Sequence, residues 1–342
     1  AACDAVGGGS GGVDESMKRI RKRLYGILCL SMSFLLCSCG QSSVKDKDFS
    51  ELTTPGSQED AYEYRTFFLP AKDGPIQPYV GDTMPYYEDG VYYIYYLKEG
   101  GDSYNHSIYL TTTKDFVTYT EQDEVVIEAS DTGQDAWIGT GSVVKAGGKY
   151  YFFYTGHADS ADVEYKEKIM VAEGDDLTAF HKISGWEITP PDDLGQKNDF
   201  RDPQAYYDPD TDTISLTITA SKDNVARILK YTVSSDLQET NYDGIIFTNT
   251  EGDFWNLECS DTFKIGDKWY LTYSAQDDTL WYASADEQFG SYSEAKRLDG
   301  KLFYAAKHVE DGENTYMAGW ARRSESPAST RSVSAWAGNL VV

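Results

Sequence analysis

The chain has 342 residues, with 27 Tyr, 14 Phe and 7 Trp, and carries a formal net charge of −26. That length suits one large domain or two ordinary ones, and the aromatic content suits strands, where flat rings pack on pleated surfaces. So acidic a balance excludes a nucleic-acid binder, which needs a basic footprint for phosphates, and otherwise serves solubility.

Residues 1–16 are rich in Gly, lack an initiator Met and read as an upstream segment outside the folded protein. Met17 then opens an export signal over residues 17–38. Lys18, Arg19, Arg21, Lys22 and Arg23 form its basic part, and Leu24 to Leu36 its apolar part, too short for a comfortable membrane span. It ends in Leu36-Cys37-Ser38-Cys39, which resembles a bacterial lipobox with Cys39 as the lipidated residue; an ordinary cleaved signal is the alternative. The expected location is therefore extracytoplasmic, with membrane contact only through a lipid anchor. Residues 39–62 are polar and poor in large apolar side chains, as in a flexible tether.

From residue 63 to 342 one pattern recurs: a turn, then a strand crowded with aromatic residues. Clear copies are Glu88-Asp89-Gly90-Val91-Tyr92-Tyr93-Ile94-Tyr95-Tyr96, Ala146-Gly147-Gly148-Lys149-Tyr150-Tyr151-Phe152-Phe153-Tyr154 and Ile265-Gly266-Asp267-Lys268-Trp269-Tyr270-Leu271-Thr272-Tyr273. A weaker copy follows Asp311-Gly312, and another replaces Gly by the turn Asp208-Pro209-Asp210-Thr211-Asp212. Asp-Gly and Gly-Gly between strand-like runs signal tight hairpins, because Gly tolerates positive φ. The anchors Gly90, Gly148, Asp210, Gly266 and Gly312 lie 58, 62, 56 and 46 residues apart. A four-stranded propeller blade takes roughly 40–50 residues plus loops. The spacing therefore predicts an all-β, five-bladed β-propeller; a β-sandwich is the alternative, but its strands would not need so long a period.

Eight residues before each anchor stand Asp82, Thr140, Asp202, Glu258 and Tyr304. If the strand before each hairpin is the innermost one, these positions ring the central channel. Three are carboxylates, which strands ordinarily avoid. Carboxylates held close keep one protonated while another is ionised, the pairing glycoside hydrolysis requires. Arg201 precedes Asp202 and, as a strand neighbour, would point to the opposite face unless a bulge turns it inward.

Other chemistries find less support. Cys259 is the only cysteine of the body, so it has no internal disulfide partner and reads as a small buried residue. His106, His157, His181 and His308 show no metal-ligand spacing. Asp208, Asp210 and Asp212 resemble the start of a calcium loop, but Thr213 and Thr219 stand where that loop needs Gly and Glu. No metal or organic cofactor is expected.

At the acidic residues the sequence resembles glycoside hydrolase family 32, the invertase, inulinase and levanase family, over nearly all of residues 78–342. Phe200-Arg201-Asp202-Pro203 is similar to its Arg-Asp-Pro motif, and Trp255-Asn256-Leu257-Glu258-Cys259-Ser260-Asp261 to its Glu-Cys-Pro-Asp motif, with Ser260 for Pro. Gly139-Thr140-Gly141-Ser142 resembles the Phe-Ser-Gly-Ser segment, and Phe303-Tyr304-Ala305-Ala306 with Ala318-Gly319-Trp320 fits the fifth blade. Tyr79-Val80-Gly81-Asp82-Thr83-Met84-Pro85 departs most from Trp-Met-Asn-Asp-Pro-Asn-Gly: the Asp is kept, but Gly81 replaces the Asn before it. Leu97 stands where many members have Gln.

The resemblance implies roles. Asp82 would be the nucleophile of a retaining reaction, Glu258 the general acid and then base, and Asp202 a transition-state stabiliser. Arg201, Trp137, Thr140, Trp255 and Tyr304 would contact an oligo- or polysaccharide of the fructan type, in a protein expected to be monomeric. The C-terminal β-sandwich of many members is expected to be absent or truncated. An inverting arabinan- or xylan-directed propeller hydrolase is the alternative enzyme, and a non-catalytic sugar-binding surface lipoprotein the alternative class.

Overall fold

The computed structural model describes residues 67–68, 80–99, 106–194, 199–251, 253–300, 303–321 and 339–341. The chain divides into two units, Ala1–Gln58 and Glu59–Val342. The first unit lies outside the described residues, and so do the expected signal peptide, Cys39 and the whole of the tether.

After β1 (Phe67–Phe68), four strands pair in chain order: β2 (Val80–Glu88), β3 (Val91–Glu99), β4 (His106–Thr113) and β5 (Tyr119–Glu121). The next sheet holds β6 (Trp137–Ala146), β7 (Lys149–His157), β8 (Glu167–Gly174) and β9 (His181–Ile188). A short 3₁₀ turn at Asp192–Leu194 leads to β10 (Phe200–Asp208), β11 (Thr213–Lys222), β12 (Val225–Ser234) and β13 (Thr240–Thr248). β14 (Leu257–Ile265), β15 (Lys268–Ala275), β16 (Thr279–Ala285) and β17 (Lys296–Asp299) follow. The fifth sheet runs β18 (Phe303–Glu310), β19 (Thr315–Ala321) and β20 (Asn339–Val341), with β1 as its outer strand, so that Phe67 faces Val341 and Phe68 faces Leu340.

The first strand of each sheet is the innermost. β2 packs on β6, β6 on β10, β10 on β14, β14 on β18 and β18 on β2, closing a ring. The five four-stranded antiparallel sheets thus stand in an all-β, propeller-like arrangement rather than as a two-sheet sandwich.

The aromatic runs fit because each sheet is covered on both faces. Successive strand side chains point to opposite faces. Tyr92, Ile94 and Tyr96 of β3 join the core shared with the fifth sheet, and Tyr95 and Leu97 the core shared with the second. On β7, Phe152 and Tyr154 face the first sheet, whereas Tyr151 and Phe153 face the third. Ile228, Leu257 and Tyr273 fill the space between the third and fourth sheets. Between the fourth and fifth, a polar group contributes: Asp261 accepts from the His308 N–H at 2.6 Å and from Tyr206 Oη at 3.1 Å, and Phe263 stacks on the His308 ring at 4.8 Å.

Tight hairpins join β2 to β3 and β6 to β7, with positive φ at Asp89 and Gly90 (51° and 79°) and at Gly147 and Gly148 (58° and 81°). Gly266 instead occupies the first loop position of its hairpin, between Ile265 and Lys268. Counting back from glycine therefore slips by one residue there. The position equivalent to Asp82, Thr140 and Asp202 on β14 is Cys259, not Glu258, and on β18 it is Ala305, not Tyr304.

Candidate active site

Each innermost strand carries a β-bulge at the same height: between Gly81 and Met84, Gly139 and Gly141, Arg201 and Gln204, Glu258 and Asp261, and Tyr304 and Lys307. Asp82, Asp202, Cys259 and Ala305 sit in these bulges with φ of 48°, 59°, 53° and 51°. Non-glycine residues rarely adopt this region, and such strain collects at functional sites. A bulge breaks strict alternation, so Arg201 and Asp202 both face inward, as do Glu258 and Cys259.

Small hydroxyl side chains fasten the bulges to neighbouring sheets. Thr83 donates to the Ala318 carbonyl at 2.6 Å, Ser142 to the Pro203 carbonyl at 3.0 Å, and Ser274 accepts from the Ala305 N–H at 2.9 Å. Thr155 accepts from the Asp202 N–H at 2.9 Å and donates to the Thr140 carbonyl at 3.0 Å. The strained backbone is thereby held by partners in other sheets.

The bulges open into a cavity of about 710 Å³ lined by Asp82, Asp202, Glu258, Arg201, Trp137, Thr140, Trp255 and Tyr304. The candidate catalytic and sugar-contact residues read from the sequence are thus brought to one place, whereas Cys39 lies outside the described residues. Trp137 and Trp255 are 37% and 42% exposed, so their faces are open to a ligand. Trp255 also lines a second cavity of about 670 Å³, together with Asn224, Asn249 and Asp253.

The three carboxylates are held differently. Asp82 accepts from the Thr140 hydroxyl at 2.6 Å and from Trp320 Nε1 at 3.2 Å. Burial and the nearby Asp202 charge push its pKa up to about 6, against the Thr140 hydrogen bond. Asp202 accepts from the Cys259 N–H at 2.9 Å through Oδ2; its other oxygen has no protein partner among the described residues. Burial and Glu258 raise the Asp202 pKa, while Arg201 opposes them. Glu258 accepts from Arg201 at 3.0 Å and from the Tyr304 hydroxyl. Burial, reinforced by that carboxylate, holds the Tyr304 phenol well above its ordinary pKa.

Arg201 is the hub. Its Nη1 reaches both Glu167 oxygens at 3.0 and 3.1 Å and Asp199 at 3.0 Å, while Nη2 reaches Glu258. Burial works against the guanidinium charge, but Glu167, Glu258, Asp202 and Asp199 outweigh it and raise its pKa. Burial would likewise raise Glu167, yet Arg201, His157 and the Phe200 N–H bring it down to about 2.

Glu167, Asp199, His157 and Trp320 escape sequence reasoning. Glu167 lies in the charged stretch Tyr165-Lys166-Glu167-Lys168, which looks like a solvated face. The Cys259 thiol is fully buried, with Sγ 3.7 Å from both Thr140 Oγ1 and Asp202 Oδ2, and burial raises its pKa well above the ordinary thiol value. Among the described residues no group of His, Cys, Asp and Glu could hold a metal ion.

Residues 82–342 match the model of the glycosyl hydrolases family 32 N-terminal domain. Sucrose-6-phosphate hydrolase of Escherichia coli is 27% identical over 253 residues, covering 67% of this chain and 51% of the relative. The chain thus spans about half the length of that curated relative. Among solved structures, a β-fructofuranosidase of Bombyx mori superposes with a TM-score of 0.66 at 20% identity, covering 82% of this chain and 62% of that one. Fructan 1-exohydrolase IIa of Cichorium intybus gives 0.64 at 17% identity, covering 80% and 56%.

Proposed function

Because the chain belongs to glycosyl hydrolase family 32, we propose that it hydrolyses β-fructofuranosidic bonds of sucrose or of inulin- or levan-type fructans, with retention of configuration, each four-stranded sheet serving as one of five blades. The observation that carries this reading is the meeting of Asp82, Asp202 and Glu258 in one cavity with three different sets of hydrogen-bond partners.

Asp82 is the nucleophile. Thr140 and Trp320 each engage one of its oxygens and fix its direction. Its carboxylate attacks the anomeric carbon while Glu258 gives a proton to the departing glycosidic oxygen, leaving a fructosyl ester on Asp82. Glu258, now ionised, takes a proton from water as that water attacks the anomeric carbon and breaks its bond to Asp82, releasing fructose and restoring both groups. Arg201 and Tyr304 aim Glu258 through these two transfers. Asp202, held from behind by the Cys259 N–H, offers its open oxygen to sugar hydroxyls as positive charge grows on the ring. Trp137 and Trp255 supply flat faces for sugar units, and the second cavity beside Trp255 suits a substrate longer than a disaccharide. Lipidation at Cys39 would hold the enzyme at the outer face of a membrane, where polysaccharide is met.

Assaying the purified chain on sucrose, inulin, levan and arabinan tests this reading. Release of fructose with arabinan untouched supports it. Cleavage of arabinan alone would favour the inverting alternative, and binding without turnover of any sugar a non-catalytic lipoprotein.

A further inference from the structure

Lys307 is fully buried on β18 and does not line the cavity. Its ammonium donates to the Gly141 carbonyl at 2.7 Å. Gly141 is on β6, and β18 and β6 are not neighbours in the ring of innermost strands: β2 separates them on one side, β10 and β14 on the other. The side chain therefore reaches across the interior of the ring, past β2. It ends beside Thr140, the partner of Asp82, and Ser142, which bonds the Pro203 carbonyl and the Ala205 N–H just after Asp202.

The charged and titratable groups facing it are Asp82 from β2, Asp202 from β10, and Cys259 and Asp261 from β14. On its own strand stand His308 and Glu310. Asp261 is already engaged by His308 and Tyr206. Asp202 also faces Arg201 and Glu258. Among the described residues no carboxylate lies within ion-pairing distance of the ammonium. A buried charge with one carbonyl partner is expensive to keep, so a hydrophobic side chain would suit a purely structural plug better.

We propose that Lys307 is a positioning residue that keeps the Asp202 carboxylate charged, acting from within the ring and outside the cavity lining. This rests on the reading of Asp202 as transition-state stabiliser. Burial holds the Lys307 pKa below the ordinary lysine value, against Cys259, Asp261, Asp202 and Asp82, and Lys307 in turn lowers that of Asp202.

The test compares the full chain with Lys307→Met, which keeps the length and removes the charge. The acidic limb of kcat/KM on a fructo-oligosaccharide should move up by about one pH unit, the scale of a unit charge removed from a protein interior. Carboxyl-13C NMR of aspartate-labelled protein, with Asp202 assigned through Asp202→Asn, should show the same upward move without any catalysis. If Lys307→Met does not fold, lysine 13Cε NMR of Asp202→Asn replaces it. Coupling is reciprocal, so the Lys307 pKa should fall. A merely structural tie would lower the melting temperature and leave these titrations in place, which would overturn the proposal while normal turnover left the reading of the site intact. Coupled titrations in a chain that hydrolyses no fructoside would sink that reading and the catalytic role with it.

Discussion

Arg201 donates from Nη2 to Glu258 Oε1 at 3.0 Å, reaching from β10 of one sheet to β14 of the next while Nη1 holds Glu167 and Asp199. A planar fork serves both directions at once; a lysine ammonium is a point charge on a flexible stem. Arg201→Lys should therefore cost about 100-fold in kcat/KM, the order of a charged hydrogen bond lost. It should also lower the melting temperature, since Glu167 is left buried with less countercharge. Steady-state kinetics beside thermal unfolding checks both. Unchanged kinetics would remove Arg201 from the site's machinery.

In the proposed mechanism Asp82 must be ionised to attack. With its pKa pushed up to about 6, activity should fall as pH drops through that value, on an acidic limb governed by Asp82 and Asp202 together. The same shift acts on stability. The folded state prefers the protonated carboxyl more than the unfolded chain does, so this contribution is complete below about pH 4 and is lost as pH rises through about 6. Asp82→Asn removes the penalty of the buried charge. It should be inactive, more stable than the parent above pH 6 by about 1 kcal/mol after allowance for a side chain that faces the cavity, and no more stable at pH 4. Unfolding curves at the two pH values decide it; an equal difference at both would show that the Asp82 charge carries no such penalty.

In the proposed lipoprotein, anchoring depends on one thiol. Cys39→Ala should release the protein from bacterial membranes or halt its processing. Fractionation with membranes as in the parent would show that the segment ending at Ser38 is not a lipoprotein signal.

Much of the fold was legible because its signals are local. Asp89-Gly90 and Gly147-Gly148 announce hairpins, and Tyr-rich runs announce strands covered on both faces. Glu258 emerged through a count that was off by one on its strand, since Gly266 opens its hairpin loop where Gly90 and Gly148 close theirs. The Glu still reaches the cavity because the bulge at Cys259 brings adjacent residues inward. That same device brings in Arg201, which strict alternation would send to the other face. Glu167, Trp320 and Lys307 were not legible as site residues, since their partners lie in other sheets. Lys307 did leave a trace: a charge directly after Ala305-Ala306 in a strand whose inner half is otherwise apolar.

In the proposed mechanism Glu258 transfers a proton to the leaving group while Asp82 forms the fructosyl ester. The most direct test compares Glu258→Gln with the parent on sucrose and on fructosyl fluoride, whose leaving group departs without protonation. Sucrose turnover should fall by about 1,000-fold, within the range general acid catalysis contributes, while the initial burst of fluoride from fructosyl fluoride, which reports ester formation before water attacks, persists. An equal fall in the rate of ester formation on both substrates would contradict the assignment of Glu258 as the acid.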